Sequence, residues 1–198
     1  MKDTTIRITV VVAALLLSAT ATFTSCANDG DNSSNLQVKV DSLQNELKKF
    51  TDEKALTEVR LTRFDSLDYE FYSNQDWNNF SVSHADDIKV YYPDGNITTG
   101  LFPQHIDMLT PMFAFAPGTR IKTHPVRFGG GDWTCVIGEM EGTFSQPMPI
   151  GNGKTIPPTN KAFKLSMATI GHWKDGKMSE EYLFWDNQAF MKQIGLAP

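Results

Sequence analysis

The dominant spacing of the large apolar residues changes near Thr119, and that change constrains the fold more than any other feature. Up to Phe115 they recur at steps of three and four, the period of one helix face. From Thr119 onward they alternate, the period of a strand with one buried face. Helices followed by strands imply an α+β domain, in which a meandering antiparallel sheet packs on the helices that precede it.

Leu36, Val40, Leu43, Leu47 and Phe50 form a two-heptad stripe, read as a stalk helix that packs on the domain or pairs in a dimer. A second helix is predicted over residues 52–72, capped by Thr51 or Asp52. It would bury Leu56, Leu61, Phe64, Leu67 and Phe71. A short helix (76–86), a strand (88–92) and a Pro93-Asp94-Gly95-Asn96 turn follow. A third helix (100–115) turns Leu101, Ile106, Leu109, Met112 and Phe113 inward, with Pro103 in its first turn and Pro111 kinking it. Strands are predicted at 121–128, 133–144, 162–173 and 177–186. Gly129-Gly130-Gly131 joins the first two; no Gly-Lys-Ser/Thr follows, so it is not a phosphate loop. Residues 146–159, rich in Pro and Gly, form a long loop and a candidate pocket rim or lid, and a last helix occupies 187–194.

The N-terminus reads as a bacterial export signal. Lys2 and Arg7 precede the apolar run Ile8 to Leu17, which is too short to span a bilayer, and small residues then lead to Cys26. That order resembles a lipoprotein signal, in which cleavage before Cys26 leaves a lipidated N-terminus. The expected organisation is a signal peptide (1–25), a flexible linker and amphipathic stalk helix (26–51), and one domain (52–198). The expected location is the cell envelope, lipid-anchored, facing the periplasm or the cell surface. The chain has 18 basic and 23 acidic side chains, net −5, without basic clusters, which argues against nucleic acid as a partner. Cys135 reads as a small apolar residue, and no Cys/His cluster has zinc spacing, so no metal and no cofactor is expected.

The segments Gly131-Asp132-Trp133, Gly142-Thr143-Phe144, Pro157-Pro158-Thr159-Asn160-Lys161-Ala162-Phe163, Asp175-Gly176-Lys177-Met178 and Gln193-Ile194-Gly195 resemble the SnoaL-like polyketide cyclase family, within the nuclear transport factor 2-like superfamily. The resemblance covers about residues 55–196. It implies a curved sheet wrapped around the helices as a cystatin-like cone, and domains that pair through their sheets. It also implies ring closure by aldol condensation without a cofactor, using a carboxylate near the end of the last strand and a histidine on the strand before. Those positions fall on Leu183 and Thr169 here, and Leu cannot transfer a proton.

A three-residue turn at the last hairpin, with Gly176 left-handed, would place Thr169 opposite Glu181 and Met167 opposite Leu183. By parity Leu165, Met167, Thr169, Glu181, Leu183 and Trp185 then share the face on which the family's chemistry sits. Trp133 and Glu141, from the neighbouring strand, are added to the expected lining. Glu181 is the candidate acid or base, with its pKa raised by burial, unless it pairs with a basic residue or reaches solvent. His124, before Pro125 in a strand, is either a pocket base or a hydrogen-bonded structural histidine. Asp186 either assists or caps the last helix. His172 falls on the opposite face. His105 reads as lying on a solvated helix face, and His84-Ala85-Asp86-Asp87 lacks a third distant ligand for a metal.

Two functional readings follow. One is a lipid-anchored domain whose apolar pocket binds a hydrophobic small molecule, or which serves as a dimeric interaction module. The other is a cofactor-independent cyclase, isomerase or hydrolase working through a pocket carboxylate. Convergence of two polar groups inside the pocket would favour the second.

Overall fold

A computed structural model describes residues 30–198. The expected signal peptide and Cys26 lie outside the described residues. None of the described helices is long and apolar enough to cross a membrane. By its contacts the chain divides between Gln44 and Asn45.

In place of two N-terminal helices there is one, α1 (Gly30–Ser66), which runs on into a π-helical turn, Leu67–Tyr72. No proline or glycine interrupts residues 31–72, so the helix has no reason to break near Thr51. Helix also begins within the segment expected to be a flexible linker. The stripe Leu36, Val40, Leu43, Leu47 and Phe50 is exposed. The buried face is Thr57, Arg60, Leu61, Phe64, Leu67 and Asp68, whereas Leu56, expected inward, is exposed. Arg60 is held by Gly131 O at 2.6 Å and Asp132 Oδ1 at 3.0 Å, with its guanidinium 5.9 Å from the Trp173 ring centre.

A 3₁₀ helix (Trp77–Val82) leads into β1 (His84–Tyr91) and β2 (Ile97–Thr99). Leu101–His105 is a π-helical turn rather than regular helix, with Phe102 in an extended conformation, and α2 (Ile106–Phe115) follows with Pro111 inside it. Then come β3 (Arg120–Ile121), β4 (Val126–Gly130), β5 (Trp133–Thr143), β6 (Met148–Pro149), β7 (Thr155–Ile156), β8 (Ala162–Lys174), β9 (Lys177–Trp185) and α3 (Asn187–Gln193). The main sheet runs β2-β1-β9-β8-β5-β3, with β4 also on β5. Its neighbours are antiparallel except β1 and β9, which are parallel. The 146–159 loop closes on itself as the β6–β7 hairpin, packs on the core through Met148 and Ile156, and gives no residue to the cavity described below.

The last hairpin turns more tightly than expected. Asp175 and Gly176 both have positive φ (51° and 79°), the signature of a two-residue type I′ turn, and Lys174 pairs with Lys177. An irregularity between His172 and Trp173 adds a further offset, so Gly171 opposes Glu181, Thr169 opposes Leu183 and Met167 opposes Trp185. The register thus differs by two residues from the expected one. A shift of two preserves parity, and the same side chains still share a face. The bulge and the twist of the long β5-β8-β9 strands curve this sheet around the core, where Phe64, Val136, Trp173 and Met178 are almost fully buried.

Candidate functional site

The concave face of the sheet, the Leu67–Tyr72 turn and α2 enclose a cavity of about 210 Å³. Leu165, Met167, Thr169, Glu181, Leu183 and Trp185 all line it. Trp133 and Glu141 do not. Trp133 lies on the other face, 43% exposed and stacked on His172 with ring centres 4.3 Å apart. Its strand neighbours Thr134 and Val136 are the buried ones, so the parity of β5 turns Trp133 and Glu141 outward. Glu141 pairs with Lys122, which holds its carboxyl below the usual range.

Glu181 is 4% exposed. His105 Nε2 lies 3.5 Å and His84 Nε2 3.8 Å from its Oε2. Both histidines are buried, against the expectation that His105 faces solvent, and His84 starts a strand where the short helix 76–86 was expected. The π-helical turn leaves His105 in step with Leu101 and Leu109, one helical turn to either side. His84 begins β1 on the buried parity of Ile88 and Val90. Both positions were therefore legible from spacing, had His been counted among the inward residues.

Each ring is anchored through its other nitrogen. His84 Nδ1 is 3.2 Å from Phe80 O and 3.0 Å from Ser83 Oγ, and His105 Nδ1 is 2.7 Å from the Tyr92 hydroxyl. Phe80 stacks on the His84 ring at 5.4 Å. His84 Nε2 and Glu181 Oε2 have no hydrogen-bond partner although they are buried. Burial lowers the His105 pKa to about 4, so its ring is neutral at neutral pH. For Glu181, burial pushes upward, but the neighbouring imidazoles of His84 and His105 oppose it and leave the carboxyl below its ordinary value. The expectation of a raised Glu181 fails because two imidazoles stand beside it. Burial also pushes the Tyr92 hydroxyl up to about 12.

A second carboxylate reaches the cavity from the helix side. Asp68, one turn beyond Phe64 and one before Tyr72, is 7% exposed and lines the cavity. Its Oδ2 is 2.8 Å from His124 Nε2, while His124 Nδ1 is 2.8 Å from Asp65 Oδ1. Burial raises the Asp68 pKa above the ordinary carboxylate value, with His124 pulling the other way. For His124, burial pushes down, but bonds and charges from Asp68 and Asp65 outweigh it and raise the imidazole. His124 thus sits behind Asp68 rather than in the cavity wall. Sequence reading missed Asp68, although it repeats at i+4 from Phe64.

Asp186 is the N-cap of α3, its Oδ1 accepting from Ala189 N at 2.8 Å. Cys135 is a free, half-buried thiol that burial pushes up, away from thiolate reactivity.

A model of the SnoaL-like polyketide cyclase family matches residues 64–194. No curated protein matches the chain in sequence. Similar solved structures include a protein from Jannaschia sp. CCS1 described as a SnoaL-like polyketide cyclase (TM-score 0.62, 19% identity, covering 72% of this chain and 96% of that one). IdmH from Streptomyces antibioticus, described as a polyketide cyclase, aligns with TM-score 0.58 and 21% identity over 69% of this chain and 98% of its own. A Catenulispora acidiphila protein with a ketosteroid isomerase-like fold, in complex with trimethylamine, aligns with TM-score 0.55 and 15% identity over 72% and 95%. At these identities the likeness establishes the fold: a curved sheet wrapped on helices, as in the nuclear transport factor 2-like cone.

Proposed function

The chain belongs to the SnoaL-like polyketide cyclase family, and from that premise we propose that its cavity takes an apolar, carbonyl-bearing small molecule and transfers a proton on it through Asp68. One observation carries the reading: two buried carboxylates, Asp68 and Glu181, open onto the same largely apolar cavity. Burying a carboxylate costs several kcal/mol unless it is paired, and pairs of titrating groups in a cleft are where acid–base chemistry concentrates. The family's own positions, Thr169 and Leu183, face each other across β8 and β9 without a titrating group. The proton-transferring role therefore moves to the helix side.

In this reading the Asp68 carboxylate takes a proton from a carbon beside the carbonyl, and the electron pair of that C–H bond passes to the oxygen to give an enolate. His124, bonded to Asp68 on one side and to the partly exposed Asp65 on the other, relays the proton toward solvent. The Glu181, His84 and His105 cluster forms the polar end of the cavity. The missing cyclase carboxylate argues for a proton transfer other than the family's ring closure.

The test is deuterium wash-in at the carbon beside the carbonyl of 1-tetralone in D₂O, read by mass spectrometry. The wild-type chain should exceed the buffer rate, and Asp68→Asn should lower that excess by about 100-fold or more. Tetralone that quenches the Trp185 fluorescence yet exchanges no faster than in buffer would refute catalysis and leave a binding protein. We further propose that Cys26 carries a lipid anchor. Labelled palmitate should enter the wild-type chain in a bacterial host and not Cys26→Ala; equal labelling of the two would reject the anchor.

A further inference from the structure

We propose that His84, His105 and Glu181 form a binding site for one divalent transition-metal ion of the zinc or iron(II) class. The site goes beyond the proton-transfer reading and does not depend on it.

A buried imidazolium and carboxylate that pair directly close to about 2.7–2.9 Å. Here His105 Nε2 and His84 Nε2 stand 3.5 Å and 3.8 Å from Glu181 Oε2. Those separations are too long for hydrogen bonds. They match the roughly 3.4 Å that separates ligands around a tetrahedral ion with bonds of about 2.0–2.1 Å. One ligand atom from each of the three residues lies within 4.8 Å of the others, and this is the cluster of that kind among the described residues.

Two atoms of the cluster are buried without a partner, His84 Nε2 and Glu181 Oε2. Leaving such groups unsatisfied costs about 1–3 kcal/mol each. A metal ion would satisfy both at once. The unpartnered atoms are an observation separate from the residue types, and they point at the same space.

The surrounding bonds orient the rings for this task. The Phe80 carbonyl, 3.2 Å from His84 Nδ1, can only accept; the neutral ring that donates Nδ1–H to it keeps its Nε2 lone pair facing Glu181. The Tyr92 hydroxyl can accept from His105 Nδ1–H while donating to Thr98 Oγ1 at 3.4 Å, which frees the second Nε2 lone pair. Backbone and hydroxyl partners on the far nitrogen are the usual supports of a metal-bound histidine. Two imidazoles and one carboxylate leave positions open toward the cavity. That donor set serves in catalytic zinc sites and, as a facial triad, in non-haem iron(II) sites. A small-molecule oxygen entering the apolar cavity would meet the ion's open face.

The test uses the whole chain, stripped with a chelator and dialysed. Calorimetric titration with Zn²⁺ should show one equivalent bound, and Co²⁺ should give the visible absorption of a low-symmetry site. His105→Gln and Glu181→Gln, each verified as folded by circular dichroism, should weaken Zn²⁺ binding by about 100-fold or more. Asp68→Asn and His124→Gln should leave it within about threefold, because their side chains are not ligands. If the ligand variants fail to fold, histidine NMR of the wild-type chain decides. Co²⁺ should shift the His84 and His105 ring signals first, and a primary effect on His124 or His172 would overturn the assignment. Absence of stoichiometric binding, or unchanged affinity in a folded His105→Gln, would equally overturn it.

Discussion

Gly171 should be intolerant of a single added methyl group, and the intolerance should be traceable to one neighbour. It lies on β8 opposite Glu181, so its backbone helps set the carboxylate's place. A Cβ built there would fall 2.6 Å from Met178 Sδ, 3.2 Å from Met178 Cγ and 3.1 Å from Phe64 Cε2. Ordinary contacts between such atoms are about 3.5–4.0 Å, so the sulfur would have to retreat by about 1 Å. It has little room, since Met178 and Phe64 are both 0% exposed and Phe64 meets Trp173 edge-on with ring centres 6.1 Å apart. Overpacking of this kind costs about 1–3 kcal/mol, while Gly→Ala at a compatible backbone returns about 0.4–1 kcal/mol from the unfolded state. The net loss for Gly171→Ala should be about 1–2 kcal/mol in urea denaturation, with an unchanged m value. Met178→Ala alone should cost about 2–5 kcal/mol through the cavity it leaves. In the double variant the new methyl group occupies part of that cavity, so the combined loss should fall short of the sum by about 1–2 kcal/mol. Additivity within about 0.3 kcal/mol would show that the clash does not run through Met178 and would refute the reasoning.

Two further outcomes follow from single side chains. Asp186→Ala removes the Ala189 hydrogen bond and should cost about 1 kcal/mol of stability, read by urea midpoint; no change would mean that α3 is held by packing alone. The Asp65–His124–Asp68 chain should show itself in pH dependence. His124 is raised above 6.5 in the folded state, so its contribution is fully present below that value and is lost as pH rises through the folded pKa. His124→Gln should flatten that alkaline-side decline in urea midpoints, and identical pH profiles for the two proteins would contradict it.

The cavity wall illustrates how far parity reasoning carries. Alternation puts Leu165, Met167, Thr169, Glu181, Leu183 and Trp185 on one face, and they all line the cavity although the hairpin register differs from the expected one. The register differs because Asp175 takes a positive φ, which shortens the loop, and a bulge beyond it moves the pairing further. The two offsets together equal two residues, so the face survived. On β5 the same reasoning did not reach Trp133 and Glu141, because a strand's parity does not say which parity faces in until its partner is known. Thr134 on β5 receives the Trp173 N–H at 2.8 Å, and that nonlocal bond marks the inner face.

Local spacing by itself determined the α+β order, the long strands β5, β8 and β9 and which side chains of β8 and β9 share a face, because those depend on neighbours within a few residues; the family resemblance said that this face looks inward. The family motifs along the chain added the cone. Tertiary structure decided which polar groups meet. His84, His105 and Glu181 come from a strand, a π-helical turn and another strand, and Asp68 meets His124 across helix and sheet. A single buried histidine or carboxylate looks unfavourable in a sequence, since burial penalises it alone. Its worth depends on partners distant along the chain, and only the folded chain brings them within ligand distance.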